Sequence, residues 1–156
     1  MKITSLPYRS AVYNALDNKV VYNDVKIHSF VEYLQETTTR KKALLPNDVQ
    51  AYIILLNQTS NESGSNKCNH NTNDTIQIQI TTVWPAGKGG YQVAEGIANE
   101  VLRLLFPTDL KNTDLSIATM DIWKSEVLST RNINYNDSSS RTWITQIVLE
   151  SSISQS

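Results

Sequence analysis

The chain has 156 residues, and its 14 Lys and Arg nearly balance 15 Asp and Glu, leaving a net charge of −1. That length suits one domain over residues 1–156, burying roughly 70% of the surface its unfolded chain exposes. The single cysteine, Cys68, rules out an internal disulfide. Balanced charge excludes a basic field that would hold nucleic acid non-specifically. Neither a signal-peptide run at MKITSLPYRS nor a stretch of membrane-spanning length is present, so a soluble cytoplasmic product is expected.

Residues 7–18 are predicted to open the fold as a helix, with Ser5 as its cap and Pro7 in the first turn. Its buried stripe is Tyr8, Val12, Ala15 and Leu16. Two short strand-like runs follow at 20–22 and 25–27, separated by Asn23-Asp24, a pair that favours a turn. Residues 30–45 are ambiguous: Phe30, Val31, Tyr33 and Leu34 fit a short helix or a strand end. The threonines 37–39 and the basic run Arg40-Lys41-Lys42 then read as an exposed loop. Gln50 to Leu56 (QAYIILL) is apolar on both faces, as in a central strand. Residues 57–74 hold almost nothing but Asn, Ser, Thr, Gly and charges. They are expected to form a long polar loop at the tip of a hairpin, mobile in a free subunit and ordered on assembly.

Residues 73–107 supply the organising unit. Ile76, Ile78, Ile80 and Trp84 alternate with Gln77, Gln79 and Thr81, the period of a half-buried strand. After the turn from Trp84 to Tyr91, Val93, Ile97, Val101 and Leu104 recur at helical spacing. Ala94, Ala98, Leu102 and Leu105 widen that stripe, and Pro107 ends it. A turn at 108–113 leads to a strand at 115–128, whose alternation slips near Met120-Asp121-Ile122 as at a bulge. Residues 129–140 read as a second long polar loop. Residues 141–153 return as a strand with Trp143, Thr145, Ile147 and Leu149 on one face. The order predicts an α+β fold: a mostly antiparallel sheet, two main helices packed on one face, and long projecting hairpin loops.

The residues offer little chemistry. Ala86-Gly87-Lys88-Gly89-Gly90 precedes a helix, but GxxxxGK[ST] is absent, and a strand-to-helix turn needs glycines anyway. Cys68 and His70 lie two apart in a polar segment, and two ligands do not make a structural zinc site. No nucleophile–base pair stands out, although a hydroxyl with His28 or His70 as base stays open. The pattern favours an interaction protein over an enzyme, with neither cofactor nor metal expected.

The run from Ile76 to Trp84, the Gly89-Gly90-Tyr91 turn, and Ala94, Ile97, Ala98, Val101 and Leu105 resemble the tail-completion proteins of tailed bacteriophages. These include tail terminators and head-tail joining proteins. Val12-Tyr13-Asn14-Ala15-Leu16 leading to Val21-Tyr22-Asn23-Asp24 resembles the family's start, and the closing strand pair fits as well. Residues 30–45 are longer and more charged than in the family. The resemblance implies a non-enzymatic virion protein without cofactor. It would form a homo-oligomeric ring at the head-tail junction, assembled in the host cytoplasm, with portal or adaptor and tail proteins as neighbours. DNA would only pass through the lumen, and no membrane is involved. The expected contacts with neighbours are Asn57, Ser60, Asn61, Ser65, Asn69 and Asn73 in the first polar segment. Arg131, Asn134 and Tyr135 are expected in the second, with Arg40, Lys41 and Lys42 in the basic run. The alternative reading is a cytoplasmic α+β domain that binds or transforms a small molecule.

Overall fold

The structure, a computed structural model, describes residues 4–65, 70–108 and 115–155. Helix α1 (Ser5–Leu16) buries Tyr8, Val12 and Leu16. It starts two residues earlier than expected, with Thr4 rather than Ser5 at its cap position. Strands β1 (Val21–Tyr22) and β2 (Val25–Lys26) make a tight hairpin. Its turn residues Asn23 and Asp24 have φ of 47° and 62°, as a two-residue hairpin turn demands. Residues 30–45 resolve into strand β3 (Ser29–Val31), a connection, and strand β4 (Ala43–Leu45).

Four long strands carry the sheet: β5 (Val49–Ser65), β6 (His70–Pro85), β7 (Asp121–Asn136) and β8 (Ser140–Gln155). The order is β3-β5-β6-β8-β7, with β4 also pairing with β5. Every pairing is antiparallel except β3 with β5. The α+β class, the mostly antiparallel sheet and the two helices on one face are as the sequence predicts.

The two polar segments differ from expectation. Residues 57–65 and 70–74 are strand, not loop: Ser60 pairs with Asp74 and Ser65 with His70. On the other side of β6, His70 to Asp74 pair with Gln155 to Ser151 of β8, so the hairpin is built into the sheet. Residues 129–136 are likewise strand, opposite Val148 to Arg141. Only Asp137 to Ser139 turn, where Asp137 Oδ1 accepts the backbone N–H groups of Ser139 (2.8 Å) and Ser140 (2.7 Å). Composition misleads here because flanking strands satisfy the backbone whatever the side chains are. The expected slip in the seventh strand falls slightly later, between Ile122 and Lys124, and a second lies between Val127 and Ser129.

Helix α2 (Gln92–Leu105) lays Ala94, Ile97, Ala98, Val101 and Leu105 on the sheet. Beneath them lie the inward row Ile76, Ile78 and Ile80 of β6 and Ile147 and Leu149 of β8, all at most 1% exposed. Val93, Leu102 and Leu104 are half-buried flanks, so the stripe centres nearer Leu105 than Leu104. The glycine turn is a contact surface. A Cβ on Gly89, whose φ is +104°, would meet Trp143 Nε1 at 2.3 Å and Trp84 Cγ at 2.6 Å. Trp143 Nε1 donates to the Lys88 carbonyl at 3.3 Å, and the Tyr91 ring stands edge-on to Trp143 at 4.7 Å. Gly96 lets the Tyr22 ring of the β1–β2 hairpin approach α2, since a Cβ there would lie 2.6 Å from it.

Ile97 is fully buried in this layer. Ile97→Asp should therefore destabilise the protein by about 3 kcal/mol or more, because it buries an unpaired carboxylate. A urea midpoint unchanged by this substitution would contradict the packing of α2 on the sheet.

Candidate functional site

The expected contact residues do not form one patch. The β5–β6 hairpin lies at one end of the sheet and the β7–β8 turn at the other, beside Pro85. The basic run borders the start of β5, across the sheet from Tyr135.

At the first end, polar residues turn inward. One extra residue in β5 between Leu56 and Thr59, where Asn57 has φ 46°, flips the alternation. Beyond that break Ser60 shares the helix-facing side with Asp74. The carboxylate of Asp74 is fully buried, and its Oδ1 accepts hydrogen bonds from Thr4 Oγ1 and Ser60 Oγ, each at 2.9 Å. Thr72 Oγ1 lies 3.2 Å from Thr4 Oγ1. Next to this cluster, Ser151 Oγ donates to the Tyr8 hydroxyl at 2.9 Å and sits 2.6 Å from Ser125 Oγ. Burial pushes the Tyr8 phenol well above its ordinary value, so it stays neutral. These groups tie the cap residue Thr4 to β5 and β6, and Tyr8 of α1 to β8 and through it to β7. Ser60 is thus a structural anchor as well as a surface residue. Asn73 accepts from Ser152 Oγ at 2.9 Å, and Asn61 pairs opposite Asn73 on the outward side. Asn57 is exposed; Ser65 ends β5, and Asn69 lies outside the described residues.

At the second end, Asn134 Nδ2 donates to the Tyr91 hydroxyl at 3.3 Å, fastening β7 to the start of α2. Arg131 is exposed, and Tyr135 is 60% exposed. The basic run is partly committed. Arg40 Nη1 bonds Asp17 Oδ1 at 2.6 Å and the Ser29 carbonyl at 2.9 Å, and its guanidinium lies over the Tyr13 ring. Lys42 lies 3.7 Å from Glu36 Oε1 and over the Tyr52 ring. Lys41 is exposed. Sequence reasoning passed over Trp123 and Leu128, exposed at 62% and 50%. Each is the extra residue at a register break of β7, so the bulge delivers it to solvent.

Three clefts bear on the small-molecule alternative. One between α2 and β7, about 250 Å³, is lined by Glu95, Asn99, Arg131 and Asn132. It falls below the range of roughly 300–1,000 Å³ typical of ligand pockets. A second, about 370 Å³, holds Tyr13, Phe30, Tyr33 and Arg40, but the guanidinium there already serves Asp17 and Ser29. The third, about 430 Å³ beside Leu56 and Asn57, has its charged wall closed by the Arg9–Glu32 pair. Among the described residues no group of three or more His, Cys, Asp or Glu is placed to hold a metal ion. Cys68 lies outside those residues. No protein-family model matches this chain, and no curated protein matches it significantly in sequence.

Asp74→Ala should cost about 1–3 kcal/mol, since it removes the acceptor that Thr4 and Ser60 share inside the protein. Chemical denaturation measures this; a loss under a few tenths of a kcal/mol would show that the cluster is not a stabilising anchor.

His28 generates a pH prediction. Its Nδ1 is buried with no hydrogen-bond partner among the described residues, and burial together with the nearby Arg40 charge lowers its proton affinity in the fold. The unfolded chain then takes the proton first, so this contribution is intact above about pH 6.5 and is lost as pH falls below it. His28→Gln should show a smaller drop in urea midpoint than the parent between about pH 7.5 and pH 5.5. Equal drops would remove His28 from the account.

Proposed function

We infer that this chain is a structural assembly subunit, one whose surface serves contacts with other protein chains rather than catalysis. The observation that carries this is the outer edge of β7. No strand among the described residues pairs with it, and it presents Trp123 and Leu128 to solvent, with Tyr135 further along. Exposed aromatic residues on a rigid element are the side chains that anchor protein contacts. The opposite sheet edge is different, made of the short β3 and β4. Two unlike edges suit head-to-tail contacts, which close into a ring when the rotation per subunit allows it.

Within that class we propose a tail-completion or neck-ring protein of a tailed bacteriophage, joining portal or adaptor to tail. Support comes from the resemblance over the β6–turn–α2 unit. Its Trp84, Gly89 and Tyr91 form one packed turn with Trp143. A net charge of −1 suits a collar that DNA must traverse without sticking. Electron micrographs of the purified protein, alone or with portal and tail proteins, should reveal closed rings. Mass spectrometry of parent particles should find the chain in the virion. Its absence from particles, with a small molecule bound to the isolated monomer, would overturn this reading in favour of a ligand-binding domain.

A further inference from the structure

The sheet has a second face, opposite the one on which α1 and α2 pack. Its side chains fall in cross-strand rows set by the register. The first row runs Leu44, Gln50, Val83, Thr142, Tyr135 across β4, β5, β6, β8 and β7. The next runs Tyr52, Thr81, Ile144, Ile133. The third sets Ile54, Gln79 and Gln146 beside Arg131, and the fourth Leu56, Gln77 and Val148 beside Ser129. Farther along β6, the outward positions are Thr75, Asn73 and Asn71.

Charge is sparse in the middle of this face, where Lys42, 3.7 Å from Glu36, reaches over the Tyr52 ring. Its β5 and β6 positions from Gln50 to Leu56 and from Asn71 to Val83 carry none, and β8 contributes Glu150 alone. On the outer strand β7 stand Arg131, Glu126, Lys124 and Asp121, two of each sign, with Lys124 3.6 Å from Glu126. A solvated antiparallel sheet face ordinarily carries charged residues, whereas interface cores are depleted of them. Leu44 and Tyr135, at opposite margins of the first row, are 64% and 60% exposed, a large apolar area left in water.

We propose that this face docks on the same face of a second copy of the chain. Chemistry chooses the occupant. Amide and hydroxyl groups donate and accept alike, as when Gln146 Nε2 donates to Gln79 Oε1 at 3.1 Å. A surface of such groups and aliphatics is therefore complementary to itself. Docking on a charged surface would strip charges of water without supplying partners. Two copies at net charge −1 each repel little. Size agrees as well. Sixteen residues of β6, with neighbours spaced as in any sheet, make a face of roughly 800 Å². A stable interface needs about that area from each partner. The paired sheets would stack as in a sandwich, about 10 Å apart. This pairing is two-fold and does not depend on the neck-ring reading.

Light scattering on the purified chain tests it. The parent should have twice the 17.6 kDa chain mass, or an even multiple of it. Gln79→Lys with Gln146→Lys, which sets ammonium groups against one another across the two-fold axis, should halve that mass at an unchanged melting temperature. Asn99→Lys, an exposed site on α2, should leave the mass as it is. As a second measurement, Gln79→Cys in a Cys68→Ser background should be protected from a maleimide when concentrated and react on dilution. The proposal is overturned by a parent that stays a single chain at about 100 μM. It is equally overturned by a folded double-lysine variant of parental mass, or by an introduced thiol at position 79 that reacts freely when concentrated. A ring that survives the lysines would sink this pairing and leave the neck reading standing. A dimer lost to them would do the reverse service if the chain proved absent from particles.

Discussion

Everything in this fold hangs on β6 being paired along both edges. From His70 to Pro85 each residue has a partner on β8, and β5 covers most of the other side. A strand so held cannot slip by one residue without turning its isoleucines to water. Burying each of those side chains is worth about 1.5–3 kcal/mol, so the register is strongly specified. It also determines where α2 lands, because the apolar helix stripe has one apolar floor available. The glycine turn between them is then short of room, and the Trp84–Gly89–Trp143 contact fills it.

The far end of the sheet is held by different physics. Beyond Leu56 and before Ile76 the inward positions of β5 and β6 include Ser60, Thr72 and Asp74, beside the buried Ile153 of β8. A carboxylate out of water is costly unless its oxygens are occupied. Thr4 and Ser60 occupy one of them, while Oδ2 has no hydrogen-bond partner among the described residues. The cap residue of α1 is thereby tied to the hairpin, which couples the first helix to a region tens of residues away. The hydroxyl chain through Tyr8, Ser151 and Ser125 extends the link to β7. The end of the sheet is therefore partly polar inside without being loose.

This division explains how much was legible in the sequence. In the centre of the sheet and under α2, alternation announces apolar burial at Ile76, Ile78 and Ile80, at Ile147 and Leu149, and along the helix through Ile97. The short β3 and β4, with Phe30, Ala43 and Leu45 buried, instead have too few residues to show a period. Where hydroxyls and a carboxylate take the inward positions, the same strands wrote no hydrophobic period. Residues 57–65, 70–74 and 129–136 consequently read as loop. The bulge near Asn57 worsened the problem by changing parity halfway along β5. Of the candidate contacts, Arg131 and Tyr135 are exposed, whereas Ser60 and Arg40 are engaged within the fold. Trp123 escaped notice because a tryptophan in a strand ordinarily points to the core. Only the register shift beside it shows otherwise.

The bulges on β7 also decide what kind of contact that edge can make. A long, flat, unpaired strand invites another strand to add to it. The two register breaks, at Trp123 and Leu128, interrupt the row of free backbone groups over the first half of β7. An incoming strand would meet a ladder with gaps there, so backbone pairing is disfavoured while side-chain contact is enhanced. The second half, from Ser129 to Asn136, keeps an unbroken register against β8. There Asn132 and Asn134 turn back to Glu95 and Tyr91 of the helix side, and the alternate residues Arg131, Ile133 and Tyr135 lie on the second sheet face. The edge thus presents bulged apolar side chains at one end and passes into the second sheet face at the other. Association through this molecule is accordingly expected to run through side chains on a rigid sheet, with specificity set by where Trp123, Leu128 and Tyr135 find cover.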